Sequence, residues 1–146
     1  MRHRVFVYGT LLRGQVNHGL LADADFLGVH RTEPRFTLFL LGAYPGLVAS
    51  GSTAVLGEVY RVNDAGLRAL DRLEDYPRLY DRKQVQTAYG NAWVYVYRGA
   101  VGDRPVVVAG DWRALASTGV PLRAAAIRNR IDPKNPSRRR RLSGRR

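Results

Sequence analysis

Only one stretch of this chain carries the period of a helix. Asn63 or Asp64 can cap it, Leu67, Leu70 and Leu73 recur at helical spacing, and Pro77 ends it. The other apolar residues come in short runs: Arg4 to Tyr8, Phe26 to Val29, Phe36 to Leu41, Ala54 to Val62, Arg82 to Thr87, Ala92 to Tyr97 and Pro105 to Ala109. These have the length and the β-branched and aromatic content of strands. A loop from Gly42 to Gly46 leads to a further apolar run at Leu47-Val48-Ala49, and Tyr89-Gly90-Asn91 is set to turn a hairpin. Leu11 to Leu21, with Gly14 and Gly19, reads as irregular chain or a helical turn. One helix among many short strands implies an α+β fold, a curled or closed mixed sheet with peripheral turns.

At 146 residues the chain can bury a sizeable core as one domain without cross-links. It has no cysteine, which excludes disulfides, thiolate metal sites and a cysteine nucleophile. His3, His18 and His30 do not pair at a metal-ligand spacing. No apolar run approaches the length of a membrane span, and the stretch after Arg2-His3-Arg4 is too short for a signal peptide, so a soluble, cytoplasmic protein is expected.

The net charge of +12 resides mostly at one end, because Arg128 to Arg146 contribute +8 and the first 127 residues only +4. Residues 1–131 are therefore read as the folded domain and residues 132–146, with Pro133, Pro136 and the Arg138–Arg141 run, as a basic disordered tail. Such a tail suits non-specific, salt-sensitive contact with nucleic acid or another polyanion. It lacks the interleaved aromatics of sequence readout, and a plain solvated tail is the favoured reading.

Two places in the domain can carry chemistry. Val5-Phe6-Val7 runs into Tyr8-Gly9-Thr10-Leu11, a strand that stops at a glycine-containing turn. Such a turn can present backbone N–H groups to an anionic or carbonyl oxygen, or it can be an ordinary strand end. The second place is the end of the helix. At about 100° per residue, Leu67, Leu70 and Leu73 span an apolar stripe about 120° wide, and Glu74 lands about 20° from Leu67 on it. Arg68, Arg72 and Asp75 fall on the opposite flank.

A carboxylate on the core-facing stripe, at the negative end of the helix dipole, is disfavoured in its charged form, which suits a general acid or base near neutral pH. Alternatively the helix end frays and Glu74 turns to solvent or pairs with an arginine. Only Glu33 and Glu58 compete with it. Glu33 precedes Pro34 in a turn and is expected to be exposed. Glu58 alternates with Leu56 and Tyr60 in a strand and suits a structural hydrogen-bonding role.

Taken together, Val7-Tyr8-Gly9-Thr10-Leu11, Gly14, Asn17-His18, Gly42-Ala43-Tyr44-Pro45, Leu70-Asp71-Arg72-Leu73-Glu74-Asp75-Tyr76-Pro77 and Tyr80 resemble the γ-glutamylcyclotransferase-like superfamily. The matching branch is that of small proteins including γ-glutamylaminecyclotransferase and the AIG2-like proteins. The resemblance covers about Val5 to Tyr97, with a further similar segment at Gly110-Asp111-Trp112-Arg113.

It implies a small β-barrel with flanking helices and a pocket at one mouth. It implies that the backbone of Tyr8, Gly9, Thr10 and Leu11 binds the α-carboxylate of a γ-glutamyl group and that Glu74 is the catalytic acid/base. The reaction would be intramolecular aminoacyl transfer, of the carbon–nitrogen lyase type, releasing 5-oxoproline and an amine with no metal, nucleotide or organic cofactor. Tyr44 and Tyr97 are candidates to line the pocket and touch substrate, with aromatic core packing as the alternative. Asn17 is expected to brace the first loop, and His18 to stabilise it rather than act as a base. Tyr44 and the segment from Gly99 to Pro105 are the candidates to hold the leaving amine.

Two other functions remain in competition with the enzyme. One is a metabolite-binding module that keeps the pocket without turnover, since a fold does not dictate an activity. The other is a polyanion-binding protein driven by the tail.

Overall fold

The computed structural model describes residues 1–116. Seven strands and two α-helices follow in the order β1 (Arg2–Val7), β2 (Asp25–Arg31), β3 (Phe36–Leu40), β4 (Pro45–Thr53), β5 (Leu56–Asn63), α1 (Asp64–Leu73), β6 (Tyr80–Thr87), β7 (Gly90–Tyr97) and α2 (Trp112–Ala116). The irregular stretch after β1 contains a 3₁₀ turn at His18–Leu21. The proposed basic tail, from residue 132 onward, lies outside the described residues. Among the described residues no helix is long and apolar enough to cross a membrane.

The five-stranded sheet has the order β2-β5-β1-β7-β6. β1 sits antiparallel to β5 and parallel to β7, so the sheet is mixed. β3 and β4 form a separate antiparallel ribbon. Val5, Phe6 and Val7 of the central strand are buried, and Leu38, Leu40 and Leu47 of the ribbon are fully buried in the same core.

The barrel expected from the resemblance does not close. Ladder bonds end at β2 and β6, and the ribbon meets the hairpin through side chains instead. The Tyr80 hydroxyl donates to the Pro45 carbonyl at 2.9 Å, and Pro45, at the start of β4, has no N–H with which to extend a ladder.

The run at Pro105–Ala109 does not become a strand. It forms one isolated bridge, Val106 to Phe39, flanked by Leu40 N–H to Pro105 O at 2.9 Å and Val107 N–H to Leu38 O at 2.8 Å. The hairpin forms as expected in outline, with Thr87 paired to Gly90, which places the turn at Ala88-Tyr89, one residue earlier than its sequence signal. Helix α2 carried no periodic signal of its own in its described residues, Trp112–Ala116.

Helix α1 starts and stops for local reasons. The Asn63 side chain accepts from the Gly66 N–H at 2.8 Å and caps the first turn. Leu67 and Leu70 are buried and Leu73 packs on the core, whereas Arg68 and Arg72 are exposed. The helix ends before the proline is reached. The Asp75 N–H donates to Arg72 O and the Tyr76 N–H to Asp71 O, with Asp75 in the left-handed region at φ 54°. This pair of bonds is a Schellman closure, and aspartate is one of the few residues with a side chain that tolerates that conformation. The closure holds Glu74 at the C-cap, where its own N–H still donates to Leu70 O at 3.0 Å.

Candidate active site

A cavity of about 350 Å³ opens where the chain leaves β1. Its walls come from five parts of the chain. The turn supplies Tyr8, Gly9, Thr10 and Leu11, the returning loop Val16 and Asn17, the entry to β4 Ala43, Tyr44 and Pro45, and the end of α1 Leu73 and Glu74. Tyr80 and Tyr95 complete the wall from the hairpin. The turn and Glu74, about sixty residues apart in sequence, thus share one cavity.

The turn ties its carbonyl oxygens back into its own loop. Gly9 O accepts from the Leu12 N–H (3.0 Å) and Thr10 O from the Asn17 N–H (2.8 Å). Leu11 O accepts from His18 Nδ1 (2.9 Å). In a planar trans peptide the N–H points opposite the C=O, so tying back the Gly9 and Thr10 carbonyls turns the Thr10 and Leu11 N–H groups the other way. The N–H groups of Gly9, Thr10 and Leu11 have no acceptor among the described residues. Asn17 Nδ2 also donates to Thr10 Oγ1 at 3.0 Å, so Asn17 grips this residue by backbone and side chain.

Gly9 is there for space. A Cβ at this position would lie 2.5 Å from Pro45 Cγ and 2.8 Å from Pro45 Cδ. The missing side chain lets the turn approach the start of β4 and closes one side of the cavity.

Glu74 is half-buried at the rim formed by the end of α1. Beneath it lies a polar network that the sequence analysis did not identify. The Tyr95 hydroxyl donates to Asp71 Oδ1 at 2.6 Å, and Arg82 Nε lies 2.8 Å from the same oxygen. The Arg82 guanidinium is sandwiched over the Tyr76 ring at 4.2 Å and the Trp93 ring at 4.7 Å. Burial, and then the hydrogen bond and charge of Asp71, push the Tyr95 hydroxyl far above its ordinary range. Tyr95 is therefore a neutral donor to Asp71 at any working pH. The Tyr8 hydroxyl donates to Tyr95 O at 2.8 Å and ties the turn to β7.

The structure sorts the expected residues. Tyr8, Gly9, Thr10, Leu11, Tyr44 and Glu74 line one cavity. Tyr97 is not among the lining residues. It pairs across the hairpin with Tyr80 and packs edge-on to that ring at 5.3 Å, and Tyr80 takes the wall position. No residue from Gly99 to Pro105 lines the cavity either. That segment is held elsewhere, with Arg104 Nη1 donating to Leu41 O at 3.2 Å.

One signal for the missed network was readable. Asp71 stands three residues before Glu74 on the helix, and hairpin pairing puts Arg82 opposite Tyr95. Nothing local said that the helix end would meet that face of the hairpin. Among the described residues no group of three or more His, Cys, Asp or Glu could hold a metal ion.

Known proteins resemble this chain over most of its length. A family model described as gamma-glutamyl cyclotransferase, AIG2-like, matches residues 5–114. A Vibrio cholerae protein is 46% identical over 112 residues, covering 77% of this chain and 96% of its own length. The gamma-glutamylcyclotransferase family protein YtfP of Escherichia coli K12 is 41% identical over 109 residues, covering 75% and 95%. The solution structure of Escherichia coli YtfP superposes with a TM-score of 0.64 over 75% of this chain and 95% of that one. The crystal structure of an AIG2-like protein from Mus musculus is 35% identical, with a TM-score of 0.58 over 68% of this chain and 78% of its own.

Proposed function

The chain belongs to the gamma-glutamyl cyclotransferase, AIG2-like family, and from that premise we propose that it cyclises the γ-glutamyl group of a γ-glutamyl amine or peptide to 5-oxoproline and releases the amine. One observation carries this reading: the Tyr8–Leu11 turn and Glu74 line the same cavity. The N–H groups of the turn receive the α-carboxylate, which orients the γ-glutamyl group with its α-nitrogen toward Glu74.

Glu74 takes a proton from the α-ammonium, and the freed amine attacks the γ-carbonyl carbon. The tetrahedral intermediate collapses with cleavage of the original amide bond. The proton held by Glu74 passes to the departing nitrogen. The attacking nitrogen, which still carries two protons, gives one back to the Glu74 carboxylate, from which it passes to the released amine; the products are the lactam and the protonated amine. The attacking and attacked groups belong to one molecule, and holding them in a folded conformer supplies the high effective molarity of an intramolecular reaction. Proton transfer by a positioned carboxylate supplies the rest.

The test is release of 5-oxoproline from a panel of γ-glutamyl amines and γ-glutamyl peptides by the parent and by Glu74→Gln. Release by the parent alone supports the reading. Full turnover by Glu74→Gln removes Glu74 from its role. Binding of 5-oxoproline without turnover across the panel replaces the enzyme with a binding module.

A further inference from the structure

The substrate turn is braced from behind by an element that lines no part of the cavity. Residues 9–18 are closed by their own bonds, Leu12 N–H to Gly9 O, Gln15 N–H to Leu12 O and Asn17 N–H to Thr10 O. Two hydrogen bonds tie this loop to Glu58 and to Trp112. The Arg13 N–H donates to Glu58 Oε1 at 3.0 Å, and Trp112 Nε1 donates to Gln15 Oε1 at 3.3 Å.

Both fastenings lead to helix α2. Trp112, only 1% exposed, is its first residue. Arg113, the next, donates through Nη2 to Glu58 Oε2. Glu58 is 3% exposed and also accepts from the Tyr60 hydroxyl at 3.0 Å. A buried carboxylate needs its partners, and here they are the guanidinium of α2, a tyrosine and the backbone of the turn.

We propose that helix α2 is the positioning element of the substrate turn, acting through Arg113 on Glu58 and through Trp112 on Gln15. The inference rests on the reading of Tyr8–Leu11 as the substrate-binding turn, but it makes a prediction that does not depend on turnover. Neither Arg113 nor Trp112 lines the cavity. They act by deciding where the N–H groups of Gly9, Thr10 and Leu11 stand.

The experiment compares the parent with Arg113→Met, Arg113→Lys and Trp112→Phe, the last keeping a buried ring while removing the N–H. Amide hydrogen exchange is followed at Leu12, Arg13 and Asn17, with β6 and β7 as internal references. The expected result is faster exchange at those three amides in Arg113→Met and Trp112→Phe, with β6 and β7 unchanged and protection recovered in Arg113→Lys. In steady-state assays the same variants raise KM for the best γ-glutamyl substrate about tenfold and change kcat less than about twofold, as expected for lost ground-state positioning.

Unchanged exchange at Leu12, Arg13 and Asn17 overturns the proposal. So does an exchange increase that spreads equally over β6 and β7, which marks α2 as a purely structural prop. A parent that turns over no panel compound overturns the proposed function instead, and the exchange pattern then decides the positioning role by itself.

Discussion

The Tyr95 hydroxyl donates to Asp71 at 2.6 Å, and Asp71 stands three residues before Glu74, on the helix that carries both carboxylates. The bond fixes the end of α1 against β7 at the point where both border the cavity. Arg82, half-buried against two rings, neutralises Asp71 from the other side. The proposed acid/base is thus mounted on a helix end that is locked by a three-residue polar network. Removing the Tyr95 hydroxyl by Tyr95→Phe is expected to lower stability by about 1 kcal/mol and turnover by about tenfold. Asp71→Ala is expected to cost more, about 3 kcal/mol, because it strands the Arg82 charge between its rings. Thermal melts and initial rates of the two variants check the order.

Glu74→Gln keeps the size of the side chain and removes its ability to exchange a proton. Turnover is expected to fall by about 10² to 10⁴, while calorimetric binding of 5-oxoproline and the melting temperature stay close to those of the parent. A variant that loses binding along with turnover would assign Glu74 to substrate recognition.

Gly9→Ala places a methyl 2.5 Å from Pro45 Cγ. Either the turn or the start of β4 must shift, and overpacking of this kind costs about 1 to 3 kcal/mol. The cavity also changes where the carboxylate is expected to sit, so KM should rise more than kcat falls. A crystal structure or a 5-oxoproline titration of the variant reads that change directly.

The buried Glu58 gives the domain a defined response to acid. Burial alone would raise its carboxyl, but the Arg113 guanidinium, the Arg13 N–H and the Tyr60 hydroxyl outweigh it and hold it below the ordinary value of 4.5. The unfolded chain therefore takes up this proton at a higher pH than the folded one. The stabilisation is complete above about pH 4.5 and is lost as the pH falls through the lower folded value. In melts from pH 7 to pH 3, the difference between the parent and Glu58→Gln should be flat down to about pH 5 and shrink below it. A difference that grows toward acid would contradict the sign.

How much of this was legible in the sequence follows from the range of each interaction. The strand runs, the helix and its cap, and the place of Glu74 beside the apolar stripe depend on neighbours within a turn or two, and periodicity displays them. The glycine turn after β1 was visible for the same reason. What the period of β7 could not decide was which of Tyr95 and Tyr97 would reach the cavity, since both lie on one face of the strand. The pairing of Tyr80 with Tyr97 settled it, and that pairing matters only once the start of β4 is packed against the hairpin. The open sheet, the Asp71–Arg82–Tyr95 network and the grip of Arg113 on Glu58, fifty-five residues away, are likewise decided by which surfaces meet. Local patterning sets the direction of each side chain, but long-range packing chooses the partner it finds there.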